Sequence, residues 1–133
     1  MNAPIQTSLL DTAPAIYMSS ITQALENKRF RFTCEDDLQQ GIAIALQFAG
    51  LPYEREVVLS KRDRPDFVVD QRLAIEIKIK GTLAQALRQI SRYSEHPQIE
   101  AILLVGSPWW LRDVPPVVGG KPVYAMRLTG SLL

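Results

Sequence analysis

The chain has 133 residues, 47% of them hydrophobic, and a formal net charge of +1, which suits one domain able to bury a core without metal or disulfide staples. One cysteine, Cys34, and one histidine, His96, exclude an internal disulfide and a Cys- or His-rich metal cluster, and no nucleophile motif accompanies His96 to suggest a Ser-His-Asp triad. The charge is too low for a uniformly basic nucleic-acid binder, so any attraction to phosphate must be local.

Residues 1–19 carry Pro4 and Pro14 among scattered polar residues without a sustained period, and read as an N-terminal arm, flexible or engaged by a partner. Neither a signal-peptide pattern nor an apolar run of membrane-spanning length is seen, so a cytoplasmic protein with no membrane contact is expected. Residues 20–133 then read as a single domain, opening with a short helix over 20–27. Lys28-Arg29-Phe30-Arg31-Phe32 interleaves cations with aromatics, as either a phosphate- and base-contacting patch or an exposed strand.

A helix is predicted over 33–49, with Thr33 as N-cap and Asp36 completing a capping box. Leu38, Ile42, Ala45, Leu46 and Ala49 recur at helical spacing until Gly50-Leu51-Pro52 stops them. Glu35 falls near the middle of that apolar stripe, Asp36 at its side and Asp37 toward the opposite face. A carboxylate on a buried stripe is costly unless it meets a cation, so Glu35 is expected to point inward and serve a site.

Strands follow near 53–59, 64–70 and 73–80. Lys61 and Arg62 lie just ahead of the second, which Arg64 opens, either as a phosphate-contacting patch or as a solvated turn over 60–63. A turn at Asp70-Gln71-Arg72 would fold the last two strands into a hairpin and carry Asp66 across to Glu76. Strand alternation puts Glu76 and Lys78 on one face and Ile75, Ile77 and Ile79 on the other. Two carboxylates and an ammonium would then share one site. Such a pair of oxygen ligands suits Mg²⁺, and a lysine can orient or activate a water nucleophile.

Thr82 and Gln85 form a second possible capping box, opening a helix over 82–95 in which Gln89 and Tyr93 share a face. The apolar run 99–105 reads as a buried strand, parallel to the one before the helix. Beyond it, Trp109 and Trp110 read as core or interface anchors in preference to base-stacking residues, Gly119-Gly120 as a turn, and 123–128 as a last strand.

Pro65-Asp66 followed by Glu76-Ile77-Lys78 resembles the PD-(D/E)XK nuclease superfamily, and Gln89-Ile90-Ser91-Arg92-Tyr93 is similar to the Q-h-x-x-Y element of its RecB-like branch. Glu35 matches the helix glutamate of the branch similar to Holliday-junction resolvases. The resemblance covers about residues 33–106 and implies an α/β fold with an αβββαβ core and a central mixed sheet flanked by helices. It further implies a nuclease hydrolysing DNA phosphodiesters with Mg²⁺ or Mn²⁺, junction- or structure-directed. Asp66 and Glu76 would ligate the metal with the Ile77 carbonyl, Glu35 would bind the metal or its water, and Lys78 would position the attacking water. Gln89 and Tyr93 would line the nucleic-acid path with Arg62 and Arg64 nearby, while Arg88 and Arg92 would lie near phosphates or simply on the helix surface. Junction cleavage would require a homodimer. The alternative is a catalytically inactive nucleic-acid-binding or accessory module that joins a partner protein.

Overall fold

A computed structural model of the chain describes residues 13–26, 28–31, 33–128 and 130–131. Three helices, α1 (Ala13–Glu26), α2 (Glu35–Phe48) and α3 (Leu83–Ser94), flank a six-stranded mixed sheet. Its strands are β2 (Tyr53–Arg55), β3 (Phe67–Val69), β4 (Leu73–Lys78), β5 (Ala101–Gly106), β6 (Val117–Val118) and β7 (Lys121–Arg127), in spatial order β2-β3-β4-β5-β7-β6. A separate parallel pair joins β1 (Phe30–Arg31) to β8 (Gly130–Ser131). From α2 to β5 the elements run helix, three strands, helix, strand, the order the sequence predicts.

Both faces of the sheet are buried. On one, Leu73, Ile75 and Ile77 of β4 pack with Leu103 and Val105 against α1 and α2. On the other, Ala74, Ile102 and Leu104 meet Ala86, Ile90 and Tyr93 of α3. Glu76 therefore lies on the α3 side, buried among apolar neighbours, since alternate strand residues face opposite ways. The parallel β4–β5 pair ends at Lys78 opposite Gly106. Only glycine fits there, because a Cβ would lie 1.7 Å from the Lys78 carbonyl oxygen.

Four boundaries differ from expectation. The expected arm ends before α1, which begins at Ala13, and Met18, Ile21 and Leu25 form a fully buried stripe against α2. Pro14 lies in the first turn, where a missing N–H costs nothing, so it opens the helix rather than excluding it. Residues 1–12 of that expected arm lie outside the described residues. Next, α2 begins at Glu35 with Cys34 at the N-cap, and no side chain caps it. Thr33 hydrogen-bonds the Asp37 side chain instead of the helix backbone. The strand expected over 53–59 stops at Arg55, because Glu56 takes a positive φ of 50° and turns the chain away. Finally, the strand expected over 64–70 begins only at Phe67, for reasons that also build the site.

Trp109 opens a 3₁₀ turn running to Asp113, in which Leu111 is buried. No helix among the described residues is long and apolar enough to cross a membrane. If α1 is part of the core, Ile21→Ala should cost about 2–5 kcal/mol of stability through the cavity it leaves. A denaturant midpoint unchanged from the parent protein would mean that α1 is peripheral.

Candidate active site

The hairpin that joins β3 to β4 is paired Phe67↔Ile75, Val68↔Ala74 and Val69↔Leu73. Asp70 and Gln71 both adopt positive φ, and the Arg72 N–H bonds the Val69 carbonyl at 3.1 Å, the geometry of a turn matched to strand twist. Continuing the register sets Asp66 opposite Glu76 and Pro65 opposite Ile77. Proline has no N–H to give the ladder, so regular pairing stops there. The Ile77 N–H bonds the Asp66 Oδ2 at 2.7 Å instead. A carboxylate thus takes the place of a backbone acceptor and is held at the edge of β4, where the Ile77 carbonyl has no proline N–H to meet.

Glu76, 5% exposed, receives the Tyr93 hydroxyl on Oε1 at 2.8 Å, while its Oε2 lies 3.6 Å from Lys78 Nζ. Tyr93 in turn accepts from Gln89 Nε2 at 3.1 Å, which fixes the direction of the chain Gln89 to Tyr93 to Glu76. Gln89 Oε1 is buried without a donor among the described residues. Asp66 is held from its other side by Gln39 Nε2 at 3.2 Å, and Gln39 is anchored by Arg55 Nη2 at 2.6 Å.

Burial first, and then the charge of Asp66, push the Glu76 carboxyl up to about 8. Burial also raises Asp66, against the opposing pull of the Ile77 N–H. The phenol of Tyr93 is pushed far above its ordinary value by burial and by Glu76, so it remains a donor. Two carboxyls that resist ionising together, with oxygen donors only, form a donor set chemically suited to a hard divalent cation. Among the described residues no three His, Cys, Asp or Glu side chains converge into one metal-holding group. Any such cation would rest on the pair, the remaining positions going to water and substrate oxygens.

Glu35 is not the inward acid expected from the helical stripe. Leu38, Ile42 and Leu46 are buried, but α2 packs on the Ile75/Ile77 face, and its first residue, Glu35, is exposed. Its carboxyl is nevertheless raised, by partial burial first and then by the charge of Asp66, while Lys78 and Lys80 pull it back. It stands at the rim of the site, within electrostatic reach of Asp66 and Lys78.

Arg62, Arg64, Gln89 and Tyr93 come together with Lys61 and Ser60 around one groove of about 420 Å³ beside Glu76. The loop that carries the cations is held by Asp63. Its carbonyl accepts from the N–H groups of Leu59 at 2.8 Å and Ser60 at 3.3 Å. Its side chain, 8% exposed, bonds Arg92 Nε at 2.9 Å and His96 Nε2 at 2.8 Å. Burial alone would raise the Asp63 pKa, but the bonds from His96 and Arg92 overcome it and hold the carboxyl below its ordinary value. Arg92 is therefore committed to a structural ion pair rather than left free for phosphate, and His96 is the second partner of Asp63. Asp63, Gln39 and Arg55 are the residues that reading the sequence missed. Arg92 and His96 lie 29 and 33 positions from Asp63, beyond any local period.

No protein-family model, curated protein or solved structure matches this chain.

The raised carboxyl predicts a pH dependence in metal-free protein. Glu76 binds its proton up to about pH 8 in the fold but only to about 4.5 when unfolded, so stability falls as pH rises between these values. In chelator, Glu76→Gln, which keeps an acceptor for Tyr93, should melt above the parent protein at about pH 9 and converge with it toward about pH 5. A variant less stable than the parent at the higher pH would show that the carboxylate is not strained by its surroundings.

Proposed function

We propose that this protein is a metal-dependent nuclease of the PD-(D/E)XK type, acting on DNA phosphodiesters. The observation that carries the reading is the replacement of the Pro65 ladder position by the Asp66 carboxylate, which sets it opposite Glu76 beside Lys78. The element order helix, three strands, helix, strand and the groove containing Arg62, Arg64, Gln89 and Tyr93 support it further.

In this reading Asp66 and Glu76 hold a Mg²⁺ or Mn²⁺ ion, with the Ile77 carbonyl beside them and Glu35 at the rim. The cation, when bound, supplies Lewis-acid polarisation of the phosphoryl group and offsets its growing negative charge. Tyr93, oriented by the bond from Gln89, holds Glu76 in one orientation by donating to its Oε1, which leaves Oε2 facing Lys78. The half-buried Lys78 ammonium orients the attacking water or donates to an oxygen of the phosphorane. The exposed cations Lys61, Arg62 and Arg64, which form no ion pair among the described residues, receive the DNA backbone.

A second reading, a nucleic-acid-binding module without turnover, is favoured by one observation. Glu35 stays exposed at the rim instead of joining Asp66 and Glu76 beneath the surface. A cleavage assay over linear, nicked, single-stranded and four-way DNA, with Mg²⁺ or Mn²⁺, separates the two. The nuclease reading expects cation-dependent cleavage that falls about a hundredfold or more in Lys78→Ala with DNA binding retained. Equal turnover in Lys78→Ala contradicts the mechanism. Salt-sensitive binding of every substrate without cleavage of any would establish the binding module.

For either reading, the basic loop makes a separate forecast. Arg64→Ala should lower the slope of log affinity against log salt by about one phosphate contact. An unchanged slope would remove Arg64 from the interface.

A further inference from the structure

The adjacent tryptophans, which the sequence suggests as a pair of anchors, have different environments. Trp110 is half-buried and donates its indole N–H to the Gly81 carbonyl at 3.0 Å, tying the 3₁₀ turn to the loop after β4. Trp109 is 68% exposed, and the Arg127 guanidinium lies over its ring at 3.7 Å. Arg127 is itself fixed, with Nε donating to the Ser107 carbonyl at 2.8 Å. It forms no ion pair among the described residues.

The position of this pair is set by the sheet. Lys78 is opposite Gly106, and Gly106 is opposite Arg127. Residues paired across neighbouring strands share a face, so Lys78 and Arg127 stand in one row on the α3 side, with a residue lacking a side chain between them. Two strand spacings separate their backbones by about 10 Å. An exposed aromatic plane backed by an immobilised guanidinium therefore sits at the same end of the sheet as the candidate catalytic lysine.

We infer that Trp109 and Arg127 form a stacking platform for an unpaired nucleobase of the strand whose phosphate lies at Lys78. The inference rests on the nuclease reading for the role of Lys78, and deepens it by naming the substrate class. That class is DNA with at least one unstacked nucleotide beside the cleaved bond, as in a single strand, a frayed end or a flap. The indole supplies a stacking plane that takes any base, and the guanidinium backs the ring and offers its free donors to the adjoining phosphate. A continuous duplex keeps its bases stacked on one another and has none to give.

The test is binding of a fluorescent single-stranded oligothymidylate and of a blunt duplex, measured by anisotropy in chelator so that turnover plays no part. Trp109 is exposed, so its replacement leaves the fold intact. Trp109→Ala should weaken oligothymidylate binding by roughly fivefold to a hundredfold, leave duplex binding within about twofold, and be largely rescued by Trp109→Phe. Equal loss for both ligands, or loss for neither, overturns the platform. The nuclease reading is judged separately by cleavage in Mg²⁺. Single-strand binding that depends on Trp109 without any cleavage sustains the platform and sinks the nuclease. Cleavage with an unaffected Trp109→Ala does the reverse, and a parent protein that binds neither oligonucleotide refutes the platform.

Discussion

The hydrogen bond from the Ile77 N–H to the Asp66 carboxylate is the constraint on which the site depends. It exists because Pro65 stands where the β3–β4 ladder needs a donor and Asp66 follows with a side chain short enough to turn back onto β4. Without it, Asp66 would sit at a frayed strand end in water. With it, the carboxylate is anchored opposite Glu76, and Gln39 and Arg55 close over it from the α2 side. Strand β3 therefore begins three residues later than its composition suggests, and that shortening makes room for the site.

The arrangement sets local stability against local chemistry. Burying Glu76 under Tyr93 and beside Asp66 resists ionisation of both acids, and a half-buried lysine at 3.6 Å relieves this only in part. A core of Ile75, Ile77, Leu103 and Val105 on the opposite face holds β4 in place regardless. Asp63 does the corresponding work for the groove. By fixing the loop of Lys61 and Arg62 to α3, it holds cations near Tyr93 that would otherwise sample open solvent. The absence of a side chain at Gly106 lets β4 and β5 approach closely at the end where Lys78 emerges.

Much of this was legible in the residues, for identifiable reasons. The α2 stripe, the hairpin and α3 announce themselves through periodicity, and Thr82 and Gln85 make the reciprocal cap that their spacing suggests. The relation of Glu76 to Lys78 follows from alternation alone. What periodicity could not convey was which side of the sheet each helix covers. Glu35 lies on the same helical stripe as Leu38, yet α2 packs against the isoleucine face, so its first residue overhangs the rim instead of pointing beneath the carboxylates. The first half of helix α1, ahead of the stretch expected over 20–27, was concealed by Pro14, a residue that breaks helix interiors but is tolerated in a first turn. The Asp63 pairing joins distant segments, and no local pattern marks it.

The central claim is that Asp66 and Glu76 are a pair made to hold a divalent cation. Calorimetric titration with Mg²⁺ near neutral pH tests it most directly, comparing the parent protein with Asp66→Asn. The account predicts saturable binding to the parent at a single class of site, and binding abolished or weakened about tenfold or more when the carboxylate becomes an amide. Absence of Mg²⁺ binding by the parent protein, or equal affinity in Asp66→Asn, would contradict it.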